Sequence, residues 1–343
     1  MQRSWSQAKN HTMKVTVLGS GSWGTTVASI ASRSNDTVLW ARSEETAQEV
    51  RASHTNDRYL SGFRLPERLD ATSDLRLAVA NADVLVVGVP SIGFRDILTQ
   101  VKPHIRPWIP VVSLSKGFEQ GSLLRMTEVV KQVLPGHPAA ALTGPNLAKE
   151  IMSGRAAAAV IATEDMAVAT ALQDVFHTAR FRVYSNHDVI GCEVAGALKN
   201  VIAIAAGIAQ GLGVGDNTRA AVITRGLSEL TRLGVAMGGL PATFAGLAGM
   251  GDLMATCMSP QSRNRHVGEQ LGKGRQLADV LAEMTMVAEG VRTAETVMRL
   301  AERYGVSMNI CASIHGVVTG SITAADSYAG LVKAKPGHEF DSE

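Results

Sequence analysis

The chain has 343 residues, of which 45% are hydrophobic and 19% are charged, and its formal net charge is +2. This length predicts two domains, and the apolar content predicts large buried cores, which excludes a disordered chain. The near-neutral charge gives no sign of a surface for nucleic acid or for an anionic membrane.

The three cysteines, Cys192, Cys257 and Cys311, are odd in number and far apart in the sequence. They form neither a disulfide framework nor a zinc-ligand spacing, so we expect no metal site, and a reducing cytoplasm fits them best. No apolar run reaches about 18 residues without a charge, and we therefore expect no membrane span.

Short apolar runs alternate with helical stretches from Lys14 to about Asn186. The predicted strands, in chain order, are KVTVLG, TVLWA, ADVLVVGVP, IPVVSLSKG, AAALTGP, AAAAVIAT and RFRVYSN. The run ADVLVVGVP is continuously apolar, which is typical of a strand that is buried on both faces. Strands that alternate with helices predict an α/β fold with a parallel, doubly wound sheet of the Rossmann type.

After Asp188 the pattern changes to long helical segments that are rich in small residues, which predicts an all-helical second domain. The polar segments at the two ends predict disorder. The predicted organisation is a disordered extension at 1–12, a Rossmann-type domain at 13–188, a helical domain at 189–332 and a disordered tail at 333–343.

Gly19, Gly21 and Gly24 form a Gly-x-Gly-x-x-Gly pattern between the first strand and the helix that follows it. In this setting the first glycine permits a tight turn, the second lets the backbone approach a pyrophosphate, and the third lets the helix pack on the strand. The helix N-terminus offers free N–H groups to the phosphates. The loop predicts a dinucleotide site, and a glycine-rich turn without a ligand is the alternative.

The second predicted strand ends close to Arg42, where an NAD-preferring site carries an acidic residue for the ribose 2′-hydroxyl. An arginine suits a 2′-phosphate instead, so this position favours NADP. A solvated surface arginine is the alternative, and Glu44 and Glu45 are close enough to serve a ribose.

Two lysines occupy positions that suggest chemistry. Lys116 follows the strand IPVVSLSKG, and ligands bind at the carboxyl ends of parallel strands. Lys199 lies in an apolar helix, and between Glu193 and Gln210 the only other polar side chain is that of Asn200. A buried ammonium must be paired or lose its proton, so we predict an acid/base group at Lys199. The alternatives are a plain loop lysine and a side chain that reaches water along its stem.

A third polar cluster begins at Asp252, in the small-residue segment GLAGMGDLMATC. Ser262, Arg263 and Asn264 follow about ten residues later. Hydroxyl, guanidinium and amide donors packed this tightly suit a phosphate monoester. A charged helix start that faces solvent is the alternative.

Taken together, these motifs resemble the bacterial NAD(P)-dependent glycerol-3-phosphate dehydrogenases over about residues 13–330. The motifs that carry the resemblance are GSGSWGT, NDRYLSG, SLSKGFE, LTGPNLAKEI, RVYSN, GALKNVIAIAAGI, GLAGMGDLMATC and QSRNR. The resemblance implies a cytoplasmic homodimer that uses NAD(P)H to interconvert dihydroxyacetone phosphate and sn-glycerol 3-phosphate, the backbone of phospholipids.

The resemblance also implies site residues, with Lys199 as the acid/base, Asp252 beside it and Lys116 as a further catalytic group. The implied substrate residues are Lys116, Gly144, Asn146, Lys199, Asp252, Ser262, Arg263 and Asn264. The implied cofactor residues are Gly19, Gly21, Ser22, Trp23, Gly24, Arg42, Lys116, Ala148, Arg263, Val287 and Glu289. Family members often carry a hydroxyl residue at the position of Asn146, and this chain departs from them there.

Two other functions share part of the pattern. Ketopantoate reductases and β-hydroxyacid dehydrogenases also join a Rossmann domain to a helical domain with a lysine, but their substrates carry a carboxylate, which the cluster at 262–264 does not suit. A redox sensor that binds NADP for a partner protein would need the glycine loop without both Lys199 and Asp252.

Overall fold

The computed structural model describes residues 12–284 and 286–333. Residues 1–11 of the predicted extension at 1–12 and residues 334–343 of the predicted tail at 333–343 therefore lie outside the described residues. The described part contains a sheet with helices on both faces, followed by a helical domain, and the predicted fold class is confirmed.

The described residues form a single sheet of eight strands. The strands are β1 Lys14–Leu18, β2 Asp36–Trp40, β3 Leu69–Thr72, β4 Val84–Val87, β5 Val111–Ser113, β6 Ala139–Thr143, β7 Ala157–Thr163 and β8 Phe181–Asn186. Their order across the sheet is β3-β2-β1-β4-β5-β6-β7-β8. The order reverses between β1 and β4, which is the place where doubly wound sheets bind ligands.

Neighbouring strands are parallel except for β6 and β7, which pair antiparallel. The expectation of a wholly parallel sheet is wrong at this pair. The link between the two strands, residues 144–156, contains one short helix of five residues, Ala148–Met152. Parallel neighbours are usually joined by a longer crossover helix that packs across the sheet, and this link has none.

Helices cover both faces of this sheet. They are α1 Ser22–Ala31, α2 Glu44–Ser53, α3 Asp57–Leu60, α4 Leu75–Val79, α5 Phe94–Val101, α6 Met126–Val133, α7 Ala148–Met152 and α8 Met166–Phe176. Val27 of α1 and Leu172 of α8 belong to the apolar core on one face. Leu98 of α5 and Val130 of α6 belong to the core on the other face. Burial on both sides explains why β4 is apolar throughout.

The second domain is helical throughout its described residues. Its helices are α9 Val189–Gly211, α10 Asp216–Ala236, α11 Pro241–Phe244, α12 Asp252–Met258, α13 Arg263–Gly272, α14 Leu277–Ala282, α15 Glu289–Tyr304, α16 Asn309–Thr319 and α17 Ala324–Lys333. A π-helical turn, Leu247–Gly251, leads directly into α12. One large apolar core joins these helices around α9.

Among residues 12–284 and 286–333, α9 is the only helix that is long and apolar enough to cross a membrane. Most of it is buried inside the helical domain. Its apolar composition is therefore accounted for by the core that surrounds it, since a helix that is apolar all round is a buried helix.

The backbones of α9 and α13 lie in contact because glycines face each other. A Cβ atom added to Gly207 would lie 2.0 Å from the carbonyl oxygen of Arg265, and one added to Gly268 would lie 2.0 Å from that of Ile204. No side chain fits between these helices. The close approach holds the first turn of α13 beside the middle of α9, where Lys199 lies.

Candidate active site

The glycine loop between β1 and α1 has the geometry that each of its glycines requires. Gly19 has a φ of +112°, and a Cβ there would lie 2.8 Å from the carbonyl oxygen of Gly88. A Cβ on Gly24 would lie 2.0 Å from the carbonyl oxygen of Gly19, so helix and strand are in direct contact. A Cβ on Gly21 would meet nothing within 4 Å. The middle of the loop therefore borders open space.

That open space suits an anion. Helix α1 begins there without a side-chain cap and without an acidic residue in its first turn, so its free N–H groups are available. A dinucleotide pyrophosphate fits the free N–H groups at this helix end.

The end of β2 presents one arginine and two glutamates. Arg42 is exposed and makes no ion pair with any residue that the structure describes. One carboxylate oxygen of Glu44 lies 2.7 Å from Arg51, and the other accepts a hydrogen bond from Ser73. Glu45 is exposed. Of these side chains, Glu44 is therefore already engaged within its own domain.

Asp252 lies between the two lysines that the sequence singled out. Its Oδ2 is 2.7 Å from Nζ of Lys116, and its Oδ1 is 3.1 Å from Nζ of Lys199. Asp252 is 2% exposed and Lys199 is 5% exposed. Lys116 follows β5, whereas the other two residues belong to α9 and α12, so this pair of ion pairs joins the two domains.

Each lysine has a second partner. Lys116 donates a hydrogen bond of 3.0 Å to the carbonyl oxygen of Gly144, which has a φ of +123°. Lys199 donates to Oγ1 of Thr256 at 2.5 Å, and Thr256 in turn donates to the carbonyl oxygen of Asp252 at 2.7 Å. Thr256 was not predicted. The signal that could have found it is its spacing, because it lies one helical turn after Asp252 on the same face.

The π-helical turn before α12 sets the position of Asp252. A Cβ on Gly249 would lie 2.2 Å from the carbonyl oxygen of Phe244, so only glycine fits this close contact. π-helical turns are frequent at functional sites. Here the turn places the first residue of α12 against both lysines.

Burial lowers the pKa of Lys116 to about 8. Asp252 opposes this effect by raising the pKa of Lys116, while the nearby charge of Lys199 lowers it further. An amine with this pKa changes its charge near neutral pH, which an ordinary lysine does not.

A chain of amide hydrogen bonds connects the lysines to the start of α13. Asn200 donates to the carbonyl oxygen of Lys116 at 3.2 Å and accepts from Asn264 at 2.9 Å. Asn264 accepts in turn from the backbone N–H of Gly290 at 2.9 Å. The predicted phosphate cluster is therefore adjacent to the lysines, and Asn200, which was not predicted as a site residue, joins the two.

The neighbouring residues make contacts within the helical domain and one contact to the first domain. Ser262 caps the N-terminus of α13 with its side chain, and Arg263 donates to the carbonyl oxygen of Val287 at 2.7 Å. Glu289, at the start of α15, accepts from the backbone N–H of Ser91 at 3.4 Å. Burial raises the pKa of the Glu289 carboxyl group.

Polar groups without partners lie at the end of β6. Neither Nδ2 nor Oδ1 of Asn146 has a hydrogen-bond partner among the described residues, although both atoms are buried. The same is true of Oγ1 of Thr143. Buried polar groups are nearly always hydrogen-bonded, so these atoms are suited to a bound ligand.

Hydrogen bonds and ion pairs thus bring together most of the predicted substrate residues: Lys116, Gly144, Lys199, Asp252 and Asn264. No such contact joins Arg42 or Ala148 to this network within the part of the chain that the structure describes. No group of three histidine, cysteine or acidic side chains among the described residues is placed to hold a metal ion.

The first domain carries a dinucleotide-type loop, and a buried network of two lysines and one carboxylate joins it to the helical domain. This combination defines an NAD(P)-dependent oxidoreductase. A family model described as the NAD-dependent glycerol-3-phosphate dehydrogenase N-terminus matches residues 14–169, and the C-terminus model of the same family matches residues 188–329. The chain belongs to the NAD-dependent glycerol-3-phosphate dehydrogenase family. The resemblance inferred from the motifs is confirmed.

Individual relatives agree with this assignment. The chain is 57% identical over 327 residues to a glycerol-3-phosphate dehydrogenase (NAD(P)+) of Sphingopyxis alaskensis, covering 95% of this chain and 98% of that protein. It is 54% identical to one of Mycobacterium avium, covering 95% and 96%. The crystal structure of the enzyme from Coxiella burnetii has a TM-score of 0.90 at 34% identity and covers 94% of this chain and 99% of that chain.

We predict that one lysine of the free protein titrates near pH 8. In protein labelled with ¹³Cε-lysine, one resonance should titrate with a midpoint at pH about 8, because burial disfavours the charged form of Lys116. That resonance should be missing from Lys116→Met and present in Lys131→Met, which removes an exposed lysine. The absence of a resonance with this midpoint from the wild-type spectrum would contradict the prediction.

Proposed function

We propose that the protein is an NAD(P)-dependent sn-glycerol-3-phosphate dehydrogenase, which reversibly reduces C2 of dihydroxyacetone phosphate. The observation that carries this proposal is the bridging of Lys116 and Lys199 by one buried carboxylate, Asp252, at the gap between a dinucleotide-type domain and a helical domain. The names of the relatives agree with this activity.

The cofactor would lie across the glycine loop with its pyrophosphate at the N-terminus of α1. When bound, this cofactor would supply the hydride for reduction at C2. The residues that we propose to contact it are Gly19, Gly21, Ser22, Trp23, Gly24, Arg42, Lys116, Ala148, Arg263, Val287 and Glu289. Support comes from the open space at Gly21 and from the uncapped N-terminus of α1.

Lys199 would donate a proton to the C2 oxygen as the carbonyl is reduced and accept it in the reverse direction. Its amine is already oriented by Asp252 and Thr256, so little reorganisation is needed. Lys116 in its charged form would stabilise the developing negative charge on the same oxygen. Asp252 holds both amines at the same place.

The phosphate end of the substrate would bind at the N-terminus of α13. Ser262, Arg263 and Asn264 supply donors there, and the helix end itself favours an anion. Gly144 and Asn146 would line the other side, where the amide of Asn146 lacks partners. These contacts would hold the phosphate end of the substrate and so place its C2 carbonyl group next to Lys199.

Arg42 supports a preference for NADP over NAD. Its guanidinium is exposed at the end of β2, whereas Glu44, which could have bound a ribose hydroxyl, is held by Arg51 and Ser73. A charged donor at this position pairs well with a 2′-phosphate.

We also propose that the protein acts as a cytoplasmic homodimer and that its product serves glycerophospholipid synthesis. The three cysteines are free and buried, which suits a reducing compartment. Exposed apolar side chains on the helical domain, including Val235, Leu240 and Met258, offer surface for a second copy. Sedimentation analysis should give twice the mass of the chain, and a monomer would contradict the dimer.

Replacing Lys199 tests the proposed activity. Purified protein should oxidise NADPH when dihydroxyacetone phosphate is added, and Lys199→Met should lower kcat by about 10²–10⁴-fold because the proton donor is lost. Methionine fills a similar volume in the apolar helix, so the melting temperature and the affinity for NADPH should stay close to the wild type.

Lys131→Met is the matched control, because Lys131 is exposed and pairs with Glu164 on the surface. It should leave kcat unchanged. Near-normal turnover in Lys199→Met would remove Lys199 from the acid/base role, and a lack of turnover in the wild type with either cofactor would reject the activity.

Replacing Arg42 tests the cofactor preference. Arg42→Ala should raise KM for NADPH by about 10- to 100-fold, the size expected for a lost charge-assisted hydrogen bond. KM for NADH should change less than about twofold, since NADH has no 2′-phosphate. Arg303→Ala, a substitution in the helical domain, is the control. An equal effect of Arg42→Ala on both cofactors would count against a 2′-phosphate contact.

A further inference from the structure

The motif NDRYLSG lies outside the site described above, yet its first residue contacts the glycine loop. Nδ2 of Asn56 donates to the carbonyl oxygen of Ser20 at 2.8 Å and to Oγ1 of Thr25 at 2.9 Å. Asn56 and Thr25 are both 0% exposed. The amide of Asn56 therefore uses both of its N–H groups on two points of the glycine loop and of helix α1.

These contacts hold the carbonyl of Ser20 in one direction. Thr25 donates from its hydroxyl group to the same carbonyl oxygen at 3.1 Å, so that oxygen accepts two hydrogen bonds from buried side chains. Two donors on one carbonyl fix the orientation of the peptide unit to which it belongs. The Ser20 carbonyl thus points into the domain interior.

The orientation of this carbonyl determines that of the next N–H group. In a trans peptide the carbonyl of one residue and the N–H of the following residue point in opposite directions. With the Ser20 carbonyl held inward, the N–H of Gly21 points outward. This is the residue whose added Cβ would meet nothing within 4 Å.

We propose that Asn56 is a positioning residue for the pyrophosphate of the dinucleotide, an inference that rests on dinucleotide binding at the glycine loop. Asn56 holds the Ser20 carbonyl oxygen away from the pyrophosphate, because that oxygen would repel the anion. The N–H group of Gly21 then points at the pyrophosphate. Asn56 acts through the loop and touches neither cofactor nor substrate.

The amide is required because other side chains of this size lack its two donors. An aspartate has the same shape but offers only acceptors, so its carboxylate would face the Ser20 carbonyl oxygen. The backbone carbonyl of Asn56 also accepts a hydrogen bond from the N–H of Leu60 at 2.7 Å. Asn56 directly precedes α3, so this bond anchors it to that helix. The backbone of Asn56 is therefore held within its own segment.

The test is the affinity of Asn56→Asp for ADP-ribose, measured by calorimetry. ADP-ribose contains the pyrophosphate but takes no part in hydride transfer, so the test is independent of the substrate assigned to the enzyme. We expect Kd to rise at least about tenfold, because one carbonyl oxygen and one carboxylate would then oppose each other. KM for dihydroxyacetone phosphate, measured at saturating NADPH, should change less than twofold.

Asn35→Asp is the matched control. Asn35 is also buried, and its Nδ2 also donates to two acceptors, the carbonyl oxygens of Ala31 and Val175, but at the far end of α1. This variant should bind ADP-ribose like the wild type. Equal losses in both variants would mean a general effect on the domain and would overturn the proposal, as would wild-type affinity in Asn56→Asp.

A pH titration distinguishes a positioning role of Asn56 from a purely structural role. A carboxyl group placed at residue 56 would be buried, and burial raises its pKa, so it regains one donor as the pH falls. The ratio of the Kd of Asn56→Asp to the Kd of the wild type should fall between pH 8 and about pH 5.5, and titration of Lys116 does not alter this ratio because it affects both proteins alike. A ratio that stays constant over this range would overturn the proposal.

Thr25→Val provides the second variant if Asn56→Asp does not fold. Valine has the shape of threonine but cannot donate to the Ser20 carbonyl or accept from Asn56. Its Kd for ADP-ribose should rise about threefold to tenfold with the fold intact. An unchanged Kd in a folded Thr25→Val protein would reject the inference.

Discussion

The arrangement of this protein depends on one carboxylate that is shared by two ammonium groups. Asp252 is buried, and a buried charge is stable only when it is paired and hydrogen-bonded. Its two partners come from different domains, Lys116 from the sheet and Lys199 from α9. Neither domain alone has the complete set of charges, so the paired state requires both domains at this distance and places the amine of Lys199 at the junction.

Backbone packing makes that distance possible. Glycines let the backbone of α13 contact that of α9, and Gly249 of the π-helical turn lies against the backbone of Phe244. In both cases a side chain would push one element away. Asp252 and the start of α13 are therefore held by main-chain contacts that leave little room for adjustment, and electrostatic catalysis needs such preorganisation.

The sequence predicted the parts of this site that carry a local signal. Lys199 stood out because its helix is otherwise apolar, and Lys116 because it follows a buried strand. Thr256 and Asn56 were not predicted as site residues, since a threonine one helical turn after Asp252 and an asparagine before a short helix are ordinary until their contacts are known. The four-residue strand β3 and the antiparallel pairing of β6 with β7 also escaped prediction. Both features depend on which strands pair with each other, and a local sequence pattern does not contain that information.

The most direct test of the shared carboxylate is the pKa of Lys116 in Asp252→Asn, followed through its ¹³Cε resonance. Asp252 raises the pKa of Lys116 against the effect of burial, so its removal should move the midpoint from about 8 to a lower pH. Asp279→Asn, which removes an exposed carboxylate of α14, should leave the midpoint unchanged. A midpoint in Asp252→Asn that is equal to or above that of the wild type would contradict the account.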